Sequence, residues 1–318
     1  MLQWNKCISD VGQFILNTQP SAEHSPDPLL WRELLSGNRQ QIAHATEAIN
    51  AAGLTDEYAE SLLNARRRHA RRERRWLWFI NFSMPYTERE RRSAFLALTA
   101  LWGAMGRELA MALDAKASHF DRDRAHKALV RRRDQRAVKA LVSALLEGHA
   151  LEDWQCISTL GSLGDAQAAE GLLAYLGMDA AIDQPISRIL EFGVEVGRTL
   201  RTLNAQNVLP YIENCLQGSL PRQRIGAALA LAGWGDEKLA TLLLPLFEDE
   251  HPQVRLAAVV AAGELKAADS AIPLQAVIAD PDPQVRAAVE GALQQVLTAN
   301  AQRAVRVGRM QPASVGQR

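Results

Sequence analysis

The chain has 318 residues, 47% of them hydrophobic, and 36 basic against 36 acidic side chains. Burying a core is not in question at that composition, and the length suits two ordinary domains or one elongated repeat array. A net charge of zero excludes a uniformly polybasic or polyacidic chain, so any charged function must come from local clustering.

The opening MLQWNKCISDVGQF has no basic region followed by a long apolar run, so no secretory signal is expected. Cys7, Cys156 and Cys215 are odd in number, far apart and without metal-ligand spacing. Such cysteines fit buried small hydrophobes in a reducing compartment, and a cytoplasmic location is expected. Apolar periodicity punctuated by Pro26, Pro28, Gly53 and Pro85 predicts helices near 2–17, 28–51, 56–81 and 88–115. Residues 1–118 show no internal repeat and read as an N-terminal helical domain. The longest apolar stretch in it, Ala94 to Gly106, falls short of the ~20 residues a membrane span needs. A buried helix is expected there.

Inside this domain RRRHARRERRWLWF (66–79) packs seven arginines into ten positions. On a helix Arg68, Arg71, Arg72 and Arg75 form one stripe whose like charges oppose the helix, relieved only by Glu73. One reading is a solvated face, with arginine stems covering apolar neighbours. A second is an anion-docking belt of Arg67, Arg68, Arg71, Arg72, Arg74 and Arg75. It would hold a partner protein or a second copy of the chain. Nucleic-acid binding through Arg66–Arg75 is a third, since phosphates need clustered cations; a membrane surface is a fourth. The segment 134–299 carries eleven basic and twenty-one acidic residues and would repel a phosphate backbone laid along it, which favours a protein partner.

His119, Asp121, Asp123 and His126 form a metal-like set on paper. The simpler account has Asp121 or Asp123 capping a helix, and no metal or cofactor is expected.

From about residue 120 the sequence repeats. HPQVRLAAVVAAGEL (251–265) and DPQVRAAVEGALQQV (282–296) place Val254-Arg255 and Val285-Arg286 thirty-one residues apart, each two residues after a proline. Upstream, 225–247 and 157–176 share a Gly-Asp turn with a second glycine shortly before it, 197–216 repeats the outline with Asn204, and 126–146 is a fainter copy. A helix-patterned period near thirty residues signals a helical solenoid. Pro252 and Pro283 suit a first helical position, and Asp282 suits the cap before it. Gly164 and Gly235 suit left-handed helix ends, with Asp165 and Asp236 capping the next helix. Alanine pairs at 257–258 and 287–288 keep the contact surface thin.

These residues resemble HEAT repeats, in particular the bacterial HEAT-like kind first described in phycobilisome lyases. Asp249, Pro252, Val254, Arg255, Ala257 and Ala258 fit the first half of that pattern, as do Asp280, Pro283, Val285, Arg286 and Ala287-Ala288. Leu160, Gly161, Leu163, Gly164 and Asp165 fit its later half. The resemblance implies an all-α superhelix over 119–299, preceded by the N-terminal helical unit, and recognition more than chemistry. Two departures stand out: 178–203 exceeds a standard first helix, and His251 replaces a better cap.

The last residues, 300–318, carry four arginines and no acid, and a disordered basic tail is expected. No H-E-x-x-H, P-loop, C-x-x-C or G-x-S-x-G occurs, so no catalytic residue is expected. The expected function is a non-enzymatic scaffold or adaptor, its acidic repeats binding a basic segment while the arginine belt docks something anionic. The family resemblance keeps two enzymatic alternatives open. One is bilin lyase or isomerase activity. The other is a DNA-glycosylase-like use of the fold, although Trp154 and Trp234 lie at different places in the repeat and define no pocket.

Overall fold

The computed structural model describes residues 27–36, 38–63, 88–114, 117–146, 153–179, 185–204 and 208–310. The helix expected at 2–17, Cys7 and the whole arginine run at 66–75 lie outside them. Among the described residues all regular structure is helical, as the repeat pattern requires. The chain forms two compact units, Met1–Gly171 and Leu172–Arg318.

In the first unit, the helix expected over 28–51 is two: α1 (Pro28–Leu34) and α2 (Arg39–Ala51). The break falls where Asn38 leaves helical geometry and its side chain accepts from the Gln40 backbone N–H at 2.9 Å. A capping asparagine outcompetes helix continuation there. Residues 55–63 form α3. Next comes α4 (Glu88–Ala112), bent at Gly103, whose φ of 60° and ψ of −139° interrupt the helix. The first repeat helices are α5 (His119–Arg132), α6 (Arg136–Leu146) and α7 (Asp153–Leu163), followed by α8 (Gln167–Tyr175). α4 packs on α5, and α5 packs on α7. Trp102 ties α4 to α3 by donating to Asp56 at 2.6 Å, and two ion pairs stitch these helices to the first hairpin, Lys139 with Glu60 at 2.7 Å and Arg132 with Glu108 at 2.6 Å.

The second unit contains the long helix α9 (Ile186–Leu203), then α10 (Val208–Cys215), α11 (Pro221–Trp234), α12 (Pro252–Leu265), the short α13 (Ala271–Ala276) and α14 (Pro283–Met310). α9, α11, α12 and α14 stack in that order. Backbones approach closely because the contacts are small. A Cβ added at Gly197 would lie 2.4 Å from the Ala230 carbonyl oxygen, and one at Gly233 2.1 Å from that of Val194. α11 accordingly buries an unbroken run from Ile225 to Gly233.

Between α11 and α12, residues Glu237–Glu248 wind as a 3₁₀ helix instead of an α-helix. Pro245 sits inside it, and a residue with no N–H cannot continue an i→i−4 ladder.

Left-handed backbone marks the ends of the first helices. Arg133 and Gly164 are thirty-one residues apart, and so are Asn204, Gly235 and Lys266, all at positive φ. The forty-residue step from Gly164 to Asn204 is the lengthened copy. Glycine fills this position only twice. At the others an arginine, an asparagine and a lysine take this geometry, their N–H groups closing onto the Leu129, Arg201 and Ala262 carbonyls.

The next member of that series is Leu297, and there the helix does not stop: α14 runs on to Met310. This corrects the expectation of a disordered tail from about 300. Arg303 fastens the extension by donating to the Lys266 carbonyl at 2.8 Å and pairing with Glu237. The outer face of α14 is mixed, with Leu297 exposed on the same stripe as two polar residues. Glu290 and Gln294 are exposed at the register of the buried Val259 and Gly263. Glu290 and Gln294 set this face apart from the buried one of α12.

Candidate protein-binding surface

The repeat-structural residues singled out from sequence sit at helix ends and between repeats, together with one residue not singled out, Arg224. Gly164 and Gly235 hold φ of 72° and 71°. Asp165 accepts from the Gln167 N–H at 2.9 Å and Asp236 from the Lys238 N–H at 3.0 Å. Pro252 and Pro283 open α12 and α14. Asp282 caps α14, accepting from the Gln284 N–H at 2.8 Å. His251, by contrast, caps α12 without a side-chain bond; its own N–H donates to Asp249 at 2.9 Å.

Arg255 and Arg286 belong to a ladder that begins at Arg224. Arg224 grips the Asp249 carboxylate with Nε at 2.7 Å and Nη2 at 3.0 Å, while Nη1 donates to the Gly218 carbonyl at 2.8 Å. Arg255 grips Asp280 in the same way at 2.7 and 2.9 Å, and its Nη1 donates to the Asp249 carbonyl at 2.8 Å. Each aspartate thus serves one arginine with its side chain and the next with its backbone. Arg286 repeats the carbonyl half, Nη1 donating to Asp280 at 2.6 Å and Pro281 at 2.9 Å. Sequence reading missed Arg224 because Gln223 replaces the valine that precedes the other two. The thirty-one-residue register alone would have found it.

These rungs are nearly dry: the side chains of Arg255 and Asp280 are 12% and 4% exposed. The Arg255 hydrogen bond holds the Asp280 carboxyl below the usual carboxylate range, against the opposing effect of burial. Burial pushes Asp249 the other way, but Arg224, the His251 N–H and their charges outweigh it and the net shift is downward. Asp280 in turn pushes the Arg255 guanidinium up. The bidentate arginines are consumed by the fold and cannot serve a partner.

Besides exposed cations such as Lys238, Lys266 and Arg286, the second unit presents two further kinds of group to solvent. Leu242, Leu244, Ile272 and Ile278 are large, apolar and exposed on or beside the second helices of the repeats. Glu248, Glu250 and Asp269 are exposed acids in the same row of segments. A surface of isolated apolar side chains among carboxylates can take an amphipathic basic segment.

Elsewhere the suggested reactive clusters come apart. His126 is buried, its Nδ1 2.9 Å from the Thr159 hydroxyl, while Asp121 accepts from the Ser118 hydroxyl and Asp123 pairs with Lys127. The four-residue set at 119–126 is therefore spread over separate partners. Among the described residues no group of three or more His, Cys, Asp or Glu could hold a metal ion. His44 pairs with Glu33 at 2.8 Å, and that hydrogen bond raises its pKa. Cys156 and Cys215 are buried thiols, and burial pushes Cys215 up to about 11.

Residues 209–294, which span α11, α12 and the start of α14, match the family profile of HEAT repeats. This part of the chain is a HEAT-repeat array. HEAT repeats are protein-interaction modules, and the ladder just described is how this one locks successive HEAT units. The match does not separate the phycobilisome-lyase kind from other HEAT repeats. No curated protein matches the chain. Among solved structures it is similar to human deoxyhypusine hydroxylase in complex with glycerol. Identity is 17% and the TM-score 0.30, over 78% of this chain and 99% of that one. A likeness that low assigns nothing to this chain. It does overturn the expectation that HEAT-like architecture means a non-enzymatic protein, because the similar structure is a hydroxylase. That expectation is withdrawn. Among the described residues no helix is long and apolar enough to cross a membrane.

Proposed function

We propose that this protein is an interaction scaffold whose HEAT units bind a basic, partly apolar protein segment and whose arginine run docks an anionic surface. The reading divides the chain into an N-terminal helical domain (1–118), repeats (119–299) and a basic C-terminal stretch (300–318), in a cytoplasmic protein. The in-register left-handed positions from Arg133 to Lys266 support that repeat segment. One observation carries the binding role: the repeat cations Arg224 and Arg255 are spent on internal carboxylates, while Glu248, Glu250 and Asp269 stay exposed beside Leu244 and Ile272. Around those two spent arginines the exposed side chains are acidic and apolar, while Lys238, Lys266 and Arg286 are exposed elsewhere in the unit.

The arginines at 67, 68, 71, 72, 74 and 75 supply the opposite charge. Two surfaces of opposite sign suit a bridge between two partners or an association of copies. The test is capture of partners from the native cell by the full chain, at two salt concentrations and with nuclease. Glu248→Lys/Glu250→Lys is expected to lose one set of partners, and Arg68, Arg71, Arg72 and Arg75 changed to Glu the other. Loss of all capture on nuclease treatment would instead favour nucleic acid at the arginine run. Capture unaffected by either variant would refute the scaffold reading.

A further inference from the structure

The arginine ladder is unfinished at its last rung. At Arg224 and Arg255 the Nε–Nη2 edge grips an aspartate twenty-five residues further on, in the loop that precedes the next HEAT unit. For Arg286 the corresponding position is 311, which is glutamine. No such loop forms within the described residues, because α14 continues straight through Leu297 where its predecessors turn left-handed at Gly235 and Lys266. Yet Arg286 is still gripped from behind by the Asp280 and Pro281 carbonyls, as its counterparts are gripped at their own rungs. The guanidinium is exposed, pinned and aimed, and its bidentate edge has no carboxylate partner among the described residues.

We propose that Arg286 is a docking point for an aspartate of a partner protein, presented in an acidic loop like the one that closes the rungs inside this chain. The inference rests on the scaffold reading and deepens it by naming the partner's chemistry at one end of the array. Three features favour this occupant. The fork geometry matches a carboxylate bidentately, and a lysine or a lone hydroxyl partner would not use it. The side chain is ordered in advance, so binding loses little rotamer freedom. Arg286 lies on an exposed, solvent-open stretch of α14 with Glu290 and Gln294, where a polar loop can approach it.

The probe is a peptide of this chain's own rung sequence, LFEDEHP (residues 246–252), added to the full-length protein labelled with ¹⁵N-arginine. The arginine run would attract any acidic peptide, so the readout is the Nε–Hε signal of Arg286, identified as the one missing in Arg286→Lys. Signals of Arg224 and Arg255 serve as references for a closed rung. The Arg286 signal is expected to shift saturably toward them and to exchange at least tenfold more slowly with solvent. The LFENEHP peptide should leave it in place. An Arg286 signal that ignores both peptides, or answers them equally, overturns the proposal. Because partner capture through Glu248 and Glu250 is measured separately, that failure is distinct from failure of the scaffold reading.

Discussion

Removing the Asp280 carboxylate tests whether the ladder holds the HEAT units together. Asp280→Ala leaves the Arg255 guanidinium 12% exposed with only carbonyl partners, and it frees the Asp282 N–H that Asp280 accepts at 2.8 Å. Deleting one member of a buried ion pair costs about 3–5 kcal/mol, since the survivor keeps its desolvation penalty. The small residual exposure of Arg255 puts the expected loss near the lower figure, about 3 kcal/mol. For a unit of this size that is roughly 6–12 °C in the transition temperature. Arg255→Met should lose a similar amount. The double variant Arg255→Met/Asp280→Leu should lose only about 1 kcal/mol, because replacing both charges leaves none stranded. Urea titrations of the second unit's transition measure all three. Asp123→Ala is the exposed control: its i,i+4 pair with Lys127 is worth about 0.3–0.5 kcal/mol. If Asp280→Ala costs no more than Asp123→Ala, or the single losses simply add, the ladder is decorative and the reasoning fails.

Acid should release the same rungs. Asp249 and Asp280 have folded pKa values below their ordinary ones, so the stability they contribute is complete above about pH 4 and is lost as pH falls through the folded values. Melting temperatures taken from pH 6 down to pH 2 should show this limb, and Asp249→Asn/Asp280→Asn should flatten it; an unchanged slope argues against the assignment. Two glycines should respond with opposite signs. Gly226→Ala places a Cβ 2.0 Å from the Leu176 carbonyl oxygen and is expected to cost about 1–3 kcal/mol. At Gly291, on the open face of α14, nothing lies within 4 Å, and alanine should gain up to about 1 kcal/mol in a thermal melt.

The candidate surface was half legible before the structure. Charge asymmetry along the sequence pointed to opposed acidic and basic segments. It did not show which charges are spent. Arg255 and Arg286 look alike in the sequence, each following a proline and a valine, yet one is locked against Asp280 and the other has an open edge. Pairing over twenty-five residues leaves no local trace, so only the folded arrangement separates them. The capping role expected of Asp121 or Asp123 falls instead to Ser118, which accepts from the Asp121 N–H. On α5, His126 turns into the contact with Thr159, while Asp123 stays outside with Lys127.

By itself the sequence determined the helical class, the thirty-one-residue period and the capping residues Asp165, Asp236 and Asp282. These depend on backbone chemistry within a few residues: proline's missing N–H, a side-chain oxygen near free amides, and glycine's tolerance of positive φ. Tertiary structure decided everything that depends on what lies across a contact. It holds Arg133, Asn204 and Lys266 in left-handed geometry without glycine, enlists Arg224, carries α14 past Leu297 and leaves Arg286 with its edge open. The physical reason is that a helix end or a charge is satisfied by whatever group packing brings to it, and that group belongs to a neighbouring repeat.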